Sequence, residues 1–207
     1  MSFFDFNNAA PQQSGSLIPA KTQAKVMSLV RPGRHGDDGW LTQSESGFEY
    51  LDFEFTVCSS PHAKRKIWQV AGVGGVTDGH AKAAEITRSL LRAMLESARG
   101  IDPKAEDETA RKARQVQSWG DFSGLEFAVE IGIEKDKSGQ YPDKNKILKV
   151  LTPDHKNYQR VMAGETIVPE GAKESSPSSA PAPSTPAWAQ GGDTPAPAKD
   201  PVPAWAR

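Results

Sequence analysis

The order of hydrophobic patterns predicts a mainly β fold with helices, of the α+β class. The expected architecture is an OB-fold-like five-stranded barrel with helices inserted between strands three and four, followed by a disordered C-terminal tail. Three observations carry this expectation. In residues 48–57, Leu51, Phe53, Phe55 and Val57 alternate with Tyr50, Asp52, Glu54 and Thr56, the period of a strand with one buried face. In residues 80–99 the step changes to three and four, through Ile86, Leu90, Met94, Leu95 and Ala98, which marks an amphipathic helix. Three strand-like stretches precede that helix and two follow it, the order of a five-stranded Greek-key barrel. The same order also fits an open sheet with helices on one face.

Residues 1–19 hold Phe3, Phe4 and Phe6 before a polar run and read as an arm whose aromatics dock on the domain. The domain itself is expected over residues 20–163. Residues 20–31 form the first strand, stopped by Pro32 and Gly33, since proline cannot donate into a ladder and glycine permits the turn. Residues 34–47 are a long polar loop. The hairpin of residues 48–73 turns at Ser59-Ser60-Pro61 and re-enters through Lys64, Arg65, Lys66, Ile67 and Trp68.

The glycine-rich run Gly72-Val73-Gly74-Gly75 reads as a connection. It lacks the Gly-Lys-Ser/Thr of a phosphate loop and the spacing of a dinucleotide fingerprint. The helix of residues 80–99 closes on Gly100, where a left-handed residue ends a helix, and Arg99 suits the negative end of its dipole. Residues 105–119 predict a second, charged surface helix anchored by Trp119. Residues 124–134 alternate again, with Leu125, Phe127, Val129, Ile131 and Ile133 inward and Glu126, Glu130 and Glu134 outward. Residues 146–152 form the last strand before Pro153, and 158–162 a short terminal turn.

From residue 164 onward Pro, Ala, Ser, Gly and Thr dominate, a composition that cannot bury enough surface to offset chain entropy. The tail contains the one internal repeat found, Pro186-Ala187-Trp188-Ala189 and Pro203-Ala204-Trp205-Ala206. A single aromatic among stiff prolines is a common peptide-docking anchor, so Trp188 and Trp205 are candidate partner-binding residues.

Formal charge is −1, from 25 Lys and Arg against 26 Asp and Glu, so no global polycation field advertises nucleic acid. The single cysteine, Cys58, excludes an intrachain disulfide and, ending an apolar strand, reads as a small buried hydrophobe. No apolar run approaches the roughly 20 residues of a membrane span, and residues 1–8 lack the basic start and apolar core of a signal peptide. A soluble, cytoplasmic protein is therefore expected. The four histidines are scattered and lack metal-ligand spacing. No nucleophile–base signature appears, so neither enzyme activity nor a cofactor is expected.

Candidate nucleic-acid contacts centre on Lys64, Arg65 and Lys66 for phosphate and Trp68 for base stacking. The alternative for Trp68 is a core position with the cations guarding an edge strand. Arg31, Arg34 and Trp40, and Lys144, Lys146 and Lys149, widen the groove in the barrel arrangement, whose rim loops are residues 32–47 and 135–145. Against this stand the acidic outward faces at Asp52 and Glu54, and at Glu126, Glu130 and Glu134. They confine a polyanion to the third strand and the rim.

Several stretches resemble a set of phage and prophage proteins, the domain of unknown function 669 family. They are Phe4-Asp5-Phe6-Asn7, Tyr50-Leu51-Asp52-Phe53-Glu54-Phe55, Pro61-x-Ala63-Lys64-Arg65-Lys66-Ile67-Trp68, Ser97-Ala98-Arg99-Gly100-Ile101-Asp102-Pro103 and Thr152-Pro153-Asp154-His155-Lys156. The resemblance implies a single-stranded DNA-binding or recombination-accessory role beside replication and recombination proteins, recruited through the tail. The chain closes on Trp205-Ala206-Arg207 and departs from the acidic, Phe-bearing tip of bacterial single-strand binding proteins. Two functions follow: a non-catalytic single-stranded DNA-binding module, or a protein-interaction adaptor whose ligands are the two tail elements. A homo-oligomer is compatible with either.

Overall fold

The computed structural model describes residues 16–171. The docking expected of Phe3, Phe4 and Phe6, and the tail elements at Trp188 and Trp205, lie outside the described residues. The described chain is a mixed α+β fold built on one six-stranded antiparallel sheet. Its strands are β1 (Thr22–Arg31), β2 (Thr42–Gln43), β3 (Glu49–Val57), β4 (Lys66–Gly74), β5 (Glu126–Glu134) and β6 (Lys144–Leu151). Helix α1 (Asp78–Arg99) and α2 (Glu108–Ala113) separate β4 from β5, and α3 (Tyr158–Met162) follows β6.

β1 is the central strand, pairing with β3 on one side and β5 on the other. β4 lies beyond β3 and β6 beyond β5, all antiparallel. β2 prolongs the edge of β1 along the start of β3, opposite Tyr50 and Glu49. It is an extra strand in what the sequence presents as a plain loop. Four antiparallel steps leave β4 and β6 pointing the same way. The curled sheet brings them together, and the Ile147 N–H donates to Gln69 Oε1 at 3.0 Å. No backbone ladder joins them among the described residues, so the expected barrel is not closed.

The alternation read from the sequence orients β3 correctly. Leu51, Phe53, Phe55 and Val57 are buried, and their partners on the other face are not. The inward rings meet others edge to face, Phe55 with Phe127 of β5 at 6.1 Å and Phe53 with Phe122, which precedes β5, at 6.5 Å, a favoured aromatic geometry. Cys58 corrects an expectation: it is exposed, because Val57 is the last inward residue and the next position turns out.

α1 begins at a Thr77 cap, whose hydroxyl accepts from the His80 N–H, and ends on left-handed Gly100 at φ 67° as expected. Its buried stripe runs through Ala84, Thr87, Leu91, Met94 and Leu95 against the sheet. Ile86, expected in that stripe, points to solvent, since it lies one position off the face that β4 sets. The C-terminal turn is latched to β5 and β6 through Ser97. Its hydroxyl donates to Leu151 O at 2.7 Å and accepts from the Ala128 N–H at 3.1 Å.

The helix expected over residues 105–119 is mostly absent. Only the six residues of α2 are helical, followed by a 3-10 turn at Trp119–Phe122. Two arginines take the backbone carbonyls that a longer helix would use or leave free. Arg99 donates to Ala113 O and Gln115 O, and Arg114 to the carbonyls of Ala105, Asp102 and Pro103.

One loop position is fixed by space. A Cβ on Gly33 would lie 1.8 Å from the carbonyl oxygen of Leu41, where His35 and Leu41 exchange backbone hydrogen bonds. Gly33→Ala is expected to cost about 1–3 kcal/mol, read as a lower urea midpoint at unchanged slope.

Candidate functional site

The outward face of β1, β3 and β4 is a grid that the register defines. Leu29 stands opposite Glu54, and Glu54 opposite Trp68. One row along, Arg31 stands opposite Asp52 and Asp52 opposite Val70; one row back, Met27 stands opposite Thr56 and Thr56 opposite Lys66. Trp68 is 53% exposed, Val70 56% and Leu29 45%. The alternative of a core tryptophan is therefore ruled out. Trp68 and Val70, alternate residues of β4, expose their apolar surface side by side on this face.

The acids of this face do not stand alone. Glu54 accepts from the Lys66 ammonium at 2.5 Å and from the Trp68 indole N–H at 3.2 Å. The Lys66 hydrogen bond holds the Glu54 carboxyl below its ordinary range, outweighing burial, which pushes the other way; the Trp68 N–H adds to the lowering. Asp52 pairs with Arg31 at 3.4 Å, and Glu126 with Lys25 at 2.9 Å. The acidic obstacle read from the sequence is thus largely neutralised where it stands, and the face is apolar plates around paired charges.

The cation row does not form as expected. β4 starts at Lys66, so Lys64 is off the strand, in the preceding turn with φ 69°. It does not share the Trp68 face through strand alternation. Arg65 turns away and donates to the backbone carbonyl of Ser16, tying the N-terminal segment to the sheet. The three consecutive cations therefore diverge, because a strand sends neighbours to opposite faces and the turn reorients the first.

The remaining candidates divide between the two ends of the sheet. Arg31 and Arg34 lie at the end where β1 finishes; Arg34 lines a surface cleft of about 520 Å³ with Pro32, His35, Thr42 and Gln43. There the His35 ring nitrogen Nε2 meets Glu49 at 3.1 Å. Trp40 is half-buried against the core with its indole over Gly120, where an added Cβ would come within 2.7 Å of the ring. It packs the 3-10 turn, so stacking on a base is not open to that ring face.

At the other end, Lys144 and Lys146 both hold Glu134, at 3.2 and 3.4 Å. Lys149 stands opposite Glu130 in the β5–β6 register, away from this end. The β5–β6 turn, expected as a rim loop, also carries an aromatic that the sequence did not single out. Tyr141 is 70% exposed there and lines a cleft with Lys135, Lys137 and Lys144. Asp136 shapes the turn, accepting from the Ser138 hydroxyl and the N–H groups of Gln140 and Tyr141. The Ser138 bond first, and the Tyr141 N–H next, pull its carboxyl down to about 2.

Because β4 and β6 run parallel and touch at Gln69, the turns that precede them share one end of the sheet. Residues 58–66 and 134–146 together hold seven Lys and Arg against three carboxylates, Glu134, Asp136 and Asp143. A chain of net charge −1 thus concentrates positive charge on one rim, beside the Trp68 face. Among the described residues no group of three His, Cys, Asp or Glu is placed to hold a metal ion. No helix among them is long and apolar enough to cross a membrane.

Fold and site together define an antiparallel α+β protein with an open, aromatic-bearing sheet face and a basic rim. No family model, curated protein or solved structure matches the chain.

Proposed function

We propose that this chain is a non-catalytic single-stranded DNA-binding protein, of the phage type its sequence resembles, acting in replication or recombination. The observation that carries the reading is the exposed indole of Trp68 on the outer sheet face, with Val70 next on the same side of β4, Leu29 two strands across beyond Glu54, and the basic rim at its end. Base stacking on aromatic rings is sequence-tolerant, and a neighbouring cationic track supplies the backbone contacts. Bases lie on Trp68, Val70 and Leu29; phosphates follow Lys64 and Lys66 toward Lys135, Lys137 and Lys144. The strand order supports an OB-like barrel, with β1 between β3 and β5 and the seam between β4 and β6 bridged by Gln69. In such a barrel the ligand face is formed by the second and third strands, here β3 and β4.

The test is fluorescence anisotropy of a labelled, unstructured oligonucleotide titrated with the full chain at low and rising salt. Affinity is expected to fall steeply with salt, as counterion release requires. Absence of binding at low salt removes the proposal. Glu54→Gln sharpens it. The change keeps the hydrogen-bonding shape, removes a negative charge from the face and releases the Lys66 charge. Affinity is expected to rise about 2- to 10-fold at low salt, with the salt slope steeper by about one.

Glu54 also has a pH signature. Its folded-state pKa is lowered, so its contribution to stability is present above the ordinary carboxylate value of about 4.3 and is lost as pH falls through the folded value. Thermal scans below pH 4.5 are expected to show a smaller loss for Glu54→Gln than for the parent chain.

A second reading draws on the same face. Met27, Leu29 and Val70 are apolar and the charges between them are paired, a surface that also suits a protein. A protein-interaction adaptor is favoured if the chain captures a partner through this face and no oligonucleotide at any salt.

A further inference from the structure

The grid of Leu29, Trp68 and Val70 is uncovered by any described element, and the same chain carries a segment chemically matched to it. We propose that the tail elements around Trp188 and Trp205 dock in turn on this face of their own domain and so compete with nucleic acid. The docking rests on the face alone; the competition rests also on the nucleic-acid reading above.

Charge selects the ligand. Within the grid Lys66 is matched by Glu54 and Arg31 by Asp52, so the exposed apolar positions between them suit an uncharged ring. Pro-Ala-Trp-Ala carries no charge and one large ring. A tryptophan anchor among stiff prolines docks at low entropic cost on an aromatic surface.

The chain also leaves the domain within reach of the face. Ile167 is tied to β1 itself: its N–H donates to Gln23 O at 2.9 Å, and the Gln23 N–H donates to Ile167 O at 2.8 Å. Met27 and Leu29 are four and six residues along that strand, roughly 14 and 20 Å away at the strand rise. Trp68 lies two strands across from β1, about 10 Å more. The 17 residues from Gly171 to Trp188 span at most roughly 55 Å, ample for this distance. A tether of this length gives an effective concentration near the millimolar range.

The docking element is also duplicated. The same four residues recur 17 positions later, at Trp205. Two copies on one tether raise the occupancy of a single face without any new contact.

The test uses the full chain and its Trp188→Ala/Trp205→Ala variant, whose substitutions lie outside the described domain. In ¹H–¹⁵N spectra the Trp68 indole N–H, identified by its loss in Trp68→Phe, is expected to shift between the two proteins. Each single variant should give a smaller shift, and the difference should not depend on protein concentration. A fluorescein-labelled 20-mer oligothymidylate is expected to bind the double variant about 5-fold tighter or more. An unmoved Trp68 signal overturns the docking, and oligonucleotide binding equal in both proteins then leaves the nucleic-acid reading standing without it. A concentration-dependent shift assigns the face to a second copy and also overturns it. A moved signal with no oligonucleotide binding by either protein keeps the docking and removes the nucleic-acid reading.

Discussion

Trp68→Ala is expected to weaken binding of an unstructured oligonucleotide by about 5- to 150-fold, the 1–3 kcal/mol that one stacked base contributes. The side chain lies on the outer face and buries no core surface, so the fold should tolerate its removal within about 0.5 kcal/mol. Among the described residues its polar contact is the indole N–H to Glu54, and Glu54 keeps Lys66 when that contact is lost. Trp68→Phe separates the two roles, since it keeps a ring for stacking and removes the N–H. Affinity retained by Phe and lost by Ala assigns the contribution to stacking. Wild-type affinity in Trp68→Ala, with an unchanged melting temperature, would place any nucleic-acid site elsewhere. The rim is tested beside it. Lys64→Glu/Lys66→Glu should lower affinity at every sequence and flatten the salt dependence. Arg65 is a poor choice for such a test, because it holds the Ser16 carbonyl and its loss disturbs the fold.

The second large effect concerns the platform beneath the site. Arg114→Ala is expected to destabilise the domain by about 3–5 kcal/mol, the usual cost of breaking a buried ion pair from one side. Glu96 is 3% exposed, and its Oε1 accepts from Arg114 Nε at 2.7 Å and from Arg92 Nε at 2.8 Å. Arg114 also serves the carbonyls of residues 102, 103 and 105. Its removal leaves a buried carboxylate with one partner and unties the segment between α1 and the 3-10 turn. For a domain of this size the melting temperature should fall by about 6–20 °C. Arg114→Lys is expected to rescue little, since an ammonium cannot reach four acceptors in the plane a guanidinium spans. A fall of under about 1 kcal/mol would show that Arg92 alone satisfies Glu96.

The two effects come from different levels of the chain, and so does their legibility. The period of two in β3 and β5, and the three-to-four step in α1, depend only on which side chains avoid water, a property that each residue carries wherever it sits. The Gly100 cap and the Pro32-Gly33 stop are equally local, because they follow from backbone sterics. The helix read over residues 105–119 failed for the opposite reason. Its fate was set by Arg99 and by the Glu96–Arg114 pair, which join residues 18 positions apart. Cys58 failed just past a strand's end and Ile86 one position off the buried stripe of α1, where a single step changes the face. Met27 and Leu29 were overlooked as outward residues, though the alternation with Val26, Ser28 and Val30 contained the signal. Tyr141, in the β5–β6 turn, left no periodic trace.

The sequence by itself determined the α+β class, the main strands and the first helix, and the inward set of aromatics, since these follow from hydrophobic periodicity and turn chemistry along the chain. Only the tertiary structure decided that Trp68 faces solvent, that Lys64, Arg65 and Lys66 part company, and that the face acids are matched by cations. It also decided that two basic turns share a rim. Those outcomes depend on strand register and sheet curl, which bring together side chains far apart in sequence, and no local pattern encodes such a distance.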